Sequence, residues 1–127
     1  MTPNILLLLV EDEVLIRMNL EEELVEAGFE VVVSSDGRQA LAELNTDASR
    51  FCAVVTDIRL GRGPDGWEVA RRARETVPAM PMVYVSGDSA HDWTTKGVPN
   101  SVMVPKPFVA AQIITAISTF LNDADPR

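Results

Sequence analysis

Glu11 and Asp12 follow the aliphatic run ILLLLV, Asp57 follows AVVT, Ser86 follows VYV and Lys106 follows VMVP. Carboxylates gathered at the ends of such runs repel one another, and burial raises their pKa values unless a cation or hydrogen-bond donors hold the charge. Something positive is therefore expected beside them. With one cysteine, Cys52, and one histidine, His91, the chain cannot assemble a zinc or other soft-metal cluster. Three acids without such ligands describe a hard oxygen site suited to Mg2+, which keeps several waters and takes one or two carboxylates plus a phosphoryl oxygen. A divalent cation, a lysine and a hydroxyl together neutralise the oxygens of a transferring phosphoryl group, which makes Asp57 a candidate nucleophile. Glu13, next to the acid pair, reads instead as a solvated acid at a helix N-terminus, where the helix dipole favours it.

The elements that must position these residues are legible as alternating strands and helices. Apolar runs at Ile5–Val10, Phe29–Val33, Cys52–Thr56, Met82–Val85 and Val102–Val104 read as strands. Their starts lie roughly 20 to 30 residues apart, the length of a strand plus a crossover helix. The first and third runs are apolar on both faces, as in a parallel sheet covered by helices on each side. The fold class is thus α/β, a doubly wound sheet, and such sheets place their sites beyond the carboxyl ends of the strands.

Between the strands, Ile16, Leu20, Leu24 and Ala27 form one helical stripe that Gly28 is placed to cap. Ser35 or Asp36 caps a second helix carrying Ala40, Leu41 and Leu44 inward. Asp65 caps a third, with Trp67, Ala70 and Ala73 on one side and Pro78 as its stop. The fourth, between Val85 and Val102, has little periodicity and two glycines, so it is expected to be short and weakly held. The fifth runs from about Phe108 to Leu121 with Ile113, Ile117 and Leu121 stacked. His91 and Trp93 read as surface and partly packed residues of helix four, Arg71, Arg72 and Arg74 as a solvated face of helix three, and Cys52 as a small buried hydrophobe.

At 127 residues the chain is read as a single domain over 1–127, with a core at about 4–121 and short tails. No apolar run approaches the roughly 18 residues that would cross a bilayer, and no basic segment precedes ILLLLV as in a secretory signal. A soluble, cytoplasmic protein without membrane partners is expected. The formal charge of −8 repels phosphate backbones, which argues against nucleic-acid binding.

The segments VEDE, VVTDIRL, DGWEVARRAR, VYVSGDS and VPKPF, in this order and spacing over about residues 4 to 121, resemble a response-regulator receiver domain of bacterial two-component signalling. The resemblance implies a flavodoxin-like (βα)5 fold with strand order 2-1-3-4-5, standing alone without an output domain. It also implies Asp57 as phosphoacceptor and Mg2+ held by Glu11, Asp12, Asp57 and the backbone carbonyl of Arg59. Ser86 and Lys106 would contact the phosphoryl group, and a cis Lys106–Pro107 bond would place the ammonium over the site. Partners would be a histidine kinase or a histidine-phosphotransfer protein, and a downstream protein target.

The chain departs from the family pattern at Met103, where an aromatic switch residue is usual, and in DIRLGRGPDG, where Gly61 replaces a common proline. Pro105 costs a strand-five amide, which an edge strand can bear. Arg59 and Asp88, two residues beyond the acceptor and the hydroxyl residue, are placed to pair across the mouth of the site. Two other functions compete. An aspartyl-nucleophile phosphatase generally needs a second acid where Arg59 stands, and a pseudo-receiver would bind partners without phosphorylation. A DNA-binding regulator would need a further domain.

Overall fold

The computed structural model describes residues 4–123, so most of the two expected tails lies outside the described residues. Five strands, β1 (Leu6–Val10), β2 (Glu30–Ser34), β3 (Ala53–Asp57), β4 (Met82–Ser86) and β5 (Ser101–Pro105), form one parallel sheet in the order β2-β1-β3-β4-β5. Five helices connect or follow them: α1 (Val14–Glu26), α2 (Gly37–Asp47), α3 (Gly66–Thr76), α4 (Trp93–Lys96) and α5 (Ala110–Asp123). This is the doubly wound order expected above. The strands lie within a residue or two of the expected positions.

Side chains alternate between the two faces of a strand. Leu8, Val10, Val54, Met82 and Tyr84 consequently pack with Ala40, Leu44, Trp67, Ala70 and Ala73 of α2 and α3. Leu7, Leu9, Val55, Val83 and Val85 pack on the other side with Leu20, Leu24, Ile113 and Ile117 of α1 and α5. Full burial of each such Leu, Ile or Val contributes about 1.5 to 3 kcal/mol. Two cores, one on each face, clamp the central strands.

The helix ends follow local chemistry. Gly28 adopts φ 103, which only glycine takes freely, and this lets its N–H reach Val25 O while Phe29 N–H reaches Leu24 O, closing a Schellman motif. α1 therefore stops at Glu26 and leaves Ala27 exposed, so the inward stripe ends at Leu24. Asp36 caps α2 by accepting from Gln39 N–H at 2.8 Å, and Asp65 caps α3 by accepting from Glu68 N–H at 3.0 Å. α5 begins at Ala110 rather than Phe108 because the Gln112 side chain reaches back 2.8 Å to the Val109 N–H, the reach of a capping-box residue.

Three expectations are corrected. Cys52 is only half-buried: it lies one residue before β3, between the buried Phe51 and Ala53, and leaves the core to them. Arg74 is not part of a solvated face: its guanidinium turns from α3 onto backbone carbonyls before β4 and before β5. Helix four is as short as expected, but its downstream flank is tied down by Trp93, which is half-buried and donates from Nε1 to Ser101 Oγ at 2.9 Å. His91 is exposed as read.

Two surface features matter below. The outward side of α1 is itself apolar: Val14, Leu15, Met18 and Val25 are all more than half exposed, Leu15 at 82%. A helix apolar on both sides is one that something else covers. At the other edge of the sheet, β5 ends on the exposed Pro105, and Lys106 N–H points inward to Ser86 O at 2.8 Å. Pro105, one residue earlier, therefore faces the open edge. No helix among the described residues is long and apolar enough to cross a membrane.

Candidate functional site

β1 delivers Glu11 directly onto the carboxyl edge of the sheet, where its N–H donates to Ser34 O at 3.1 Å. Only 1% of Glu11 is exposed, and its Oε2 accepts from Glu13 N–H at 3.1 Å. Its Oε1 has no hydrogen-bond partner, although Lys106 Nζ stands 3.2 Å away outside hydrogen-bond alignment. Arg17 Nη1 donates to Glu11 O at 3.0 Å and fixes the turn that carries both acids. Asp12, next along, is exposed.

Asp57 closes β3 and is 5% exposed. Its Oδ1 accepts from Ile58 N–H at 2.8 Å and its Oδ2 accepts from Lys106 Nζ at 2.9 Å. α3 begins hard against it. A Cβ built on Gly66 would lie 2.2 Å from Asp57 O, a distance no side chain survives, while Gly66 N–H donates to Ile58 O at 2.8 Å. Glycine there lets the helix seat directly on Asp57.

The carboxylates of Glu11, Asp12 and Asp57 offer oxygens that all lie within 4.8 Å of one another. Lys106 follows β5 and a cis bond joins it to Pro107, as expected. Its ammonium meets Asp57 at 2.9 Å, Glu11 at 3.2 Å and Glu13 at 3.8 Å. Glu13 thus stands at the start of α1 and is exposed, as read, but it also flanks the lysine. Ser86 lies one residue past Val85, the register partner of Asp57. Its Oγ accepts from Asp88 N–H at 3.2 Å and Ser89 N–H at 2.7 Å, so the hydroxyl shapes the turn after β4. Arg59 and Asp88 do pair, at 2.9 Å, with both side chains well exposed. Met103 is half-buried on β5, paired in register with Tyr84.

The electrostatics follow from this crowding. Burial, reinforced by the Asp57 charge, pushes the Glu11 carboxyl from 4.5 up to about 7, against the Glu13 amide and Lys106, which act in the opposite sense. Burial works against the Lys106 ammonium, but the hydrogen bond and charge of Asp57, with Glu11, more than offset it and hold its pKa above the ordinary value. A single ammonium serves several acids. The partnerless buried Glu11 Oε1, beside two further carboxylates and no soft ligand, fits a hard divalent cation.

Of the residues singled out from sequence, Glu11, Asp12, Asp57 and Lys106 come together, and Ser86 stands at the neighbouring strand end. Sequence reasoning missed Arg17 and Gly66. Arg17 is six residues from the carbonyl it holds, a spacing without signature, whereas the Asp65-Gly66 pair carried a signal as a glycine just inside a capped helix.

Residues 7–118 match the family model described as response regulator receiver domain. The chain belongs to this family. Among relatives of the receiver, it is 29% identical over 122 residues to the response regulator MprA of Mycolicibacterium vanbaalenii, covering 94% of this chain and 52% of that protein. It is 31% identical over 121 residues to the sensor kinase CckA of Brucella abortus, covering 93% of this chain but 13% of that one. The chain therefore spans about half, or much less, of these relatives. A solved response regulator receiver protein from Sinorhizobium medicae superposes with a TM-score of 0.92 at 45% identity, covering 96% of this chain and 98% of that chain. Receiver domains of two-component response regulators are signalling domains, and the fold expected from the sequence is the one this family shares.

Proposed function

We propose that this receiver acts, as one domain, by accepting a phosphoryl group from a phosphohistidine onto Asp57 and by signalling through protein contacts. The observation that carries the reading is the grip on Asp57: a rigid amide on Oδ1 and a flexible ammonium on Oδ2. Ile58 N–H is fixed at the end of β3, where it also donates to Val85 O at 3.2 Å. Lys106 can leave Oδ2 and follow the incoming group. Oδ2 is then the attacking atom: its lone pair forms the bond to phosphorus as the bond from phosphorus to the histidine nitrogen breaks, and Lys106 moves from the carboxylate to a phosphoryl oxygen.

Glu11, Asp12 and Asp57, with the Arg59 backbone carbonyl, are the groups that would hold Mg2+, which when bound offsets charge on the transferring group. Ser86 would turn its hydroxyl toward the new phosphoryl group, giving up the Asp88 and Ser89 amide hydrogens that its Oγ accepts. A histidine kinase or histidine-phosphotransfer protein is the donor this chemistry asks for. The outward apolar side of α1 supports a docking surface for it. Val14, Leu15 and Met18 begin just past the acid pair, and a groove of about 830 Å3 runs from Lys106 and Glu13 between α1 and the start of α5.

Mg2+ and acetyl phosphate should label the chain once, at Asp57, as read by intact-protein mass spectrometry, and Asp57→Asn or excess chelator should abolish the label. Undiminished labelling of the variant would remove Asp57 from the role. Failure of the wild type to label with any donor would favour a module that binds partners without phosphorylation.

A further inference from the structure

The link from β4 to β5 has two ends of different character. Upstream, Ser86 Oγ accepts from the amides of Asp88 and Ser89. From Gly87 to Gly97 the chain makes a short 3-10 turn and the four-residue α4, and only Ser89 in that stretch is buried. Few buried contacts make a segment cheap to reorder, and Trp93, which donates from Nε1 to Ser101 Oγ at 2.9 Å, ties its α4 end to the residues that follow.

Downstream the chain is pinned within four residues. Arg74, from the last turn of α3, donates from Nε to Met80 O at 2.7 Å, from Nη1 to Pro99 O at 2.6 Å and from Nη2 to Asn100 O at 3.2 Å. A charged, planar donor set of this kind is stronger and more directional than neutral hydrogen bonds. Tyr84, wholly buried on β4, accepts the Val98 N–H on its phenol oxygen at 3.1 Å, and its ring lies 4.8 Å from that of Trp67. Ser101 Oγ donates back to Val98 O at 2.6 Å. Asn100, between these anchors, is held at φ 57, a conformation that asparagine tolerates but that costs energy unless its surroundings enforce it.

We infer that Arg74 and Tyr84 form a latch that fixes residues 98–101, so that rearrangement started at Ser86 is confined to Gly87–Gly97 and β5 keeps its place. The inference rests on the reading of Asp57 as phosphoacceptor. Tyr84 is the register partner of Met103, one strand inward from the position where the family usually carries its aromatic switch and this chain does not. The aromatic of this row is therefore an anchor. What moves is the stretch between the Ser86 turn and the latch.

Residue-resolved hydrogen exchange on the full chain tests it, with and without Mg2+ and beryllofluoride, a phosphoryl mimic. Without ligand, Tyr84→Phe removes one acceptor and should speed exchange of the Val98 amide by roughly tenfold. Arg74→Gln, which frees the Pro99 and Asn100 carbonyls, should do the same for the Val98 amide and for the inward-facing Val102 amide, and both variants should leave the β1 amides unaltered. With beryllofluoride, changes in the wild type should stop at Gly97, and in either variant they should spread into 98–101. Unchanged Val98 exchange in Tyr84→Phe, or equal ligand-induced changes before and after Gly97 in the wild type, would overturn the latch. A ligand that altered no amide would overturn the reading of Asp57, and the ligand-free rates would still decide the latch.

Discussion

Glu11 is the residue whose replacement says most about how this site is held. Its carboxyl is almost wholly buried and its pKa stands at about 7 against an ordinary 4.5, chiefly through burial and next through Asp57. At about 1.4 kcal/mol per pKa unit, the ionised form costs the metal-free fold at most about 3.5 kcal/mol. The folded state holds the proton more tightly than the unfolded chain does, so stability should fall as pH rises from 4.5 to about 7 and then level off. The raised pKa of Lys106 gives a pH slope of the same sign, its stabilisation being fully present below the ordinary value of 10.5 and fading above it, outside this window. Glu11→Gln removes the buried charge but also the attraction to Lys106 at 3.2 Å, so the net gain at pH 8 in chelator is about 1 to 3 kcal/mol. At pH 5 the variant and the wild type should be nearly equal. Urea unfolding at both pH values, in chelator and then in Mg2+, provides the assay, and Mg2+ should stabilise the wild type at pH 8 far more than the variant. A variant that is less stable than the wild type at pH 8 in chelator, by the same margin as at pH 5, would refute the idea that Glu11 is a stored electrostatic cost.

Two other perturbations separate input from lifetime. Leu15→Asp, on the outward side of α1, should slow phosphotransfer from a protein donor at least roughly tenfold, as loss of an apolar anchor does at an interface. Labelling by acetyl phosphate should stay intact in that variant, and an equal loss with both donors would discard α1 as the docking side. Arg59→Ala breaks an exposed, solvent-screened pair with Asp88, so dephosphorylation should change by less than about tenfold. A hundredfold change in the decay of the phosphoprotein would show that this pair gates the attacking water.

The elements were legible because they obey local rules. The aliphatic run before Glu11, the Asp36 and Asp65 caps and the periodic stripes of α3 and α5 each decide their own backbone. The acids and the lysine were legible because a parallel sheet sends every strand end to one edge. Arg74 was not, because its partners lie 25 and 26 residues further along the chain, and three near-adjacent arginines look like one solvated run. Helical geometry turns each successive residue by 100°, so only the third reaches the β4–β5 link. The outward side of α1 was missed for a related reason: one apolar stripe sufficed to place the helix, and the second stripe, Val14, Met18 and Val25, is left exposed among the described residues.

Pro105 has a consequence beyond the loss of one hydrogen bond. A parallel strand at the rim of a sheet is a template on which another chain can polymerise, amide by amide. Val102, Val104 and Lys106 turn their amides inward, so Ser101, Met103 and Pro105 are the residues that address the rim, and the last has no N–H to offer. A foreign strand could therefore find donors at the end of β5 remote from Asp57 and none at the end beside it. The receiver's rim is blunted at the end of the sheet that carries Glu11, Asp57 and Lys106, so a strand from another chain is least able to anneal beside that cluster.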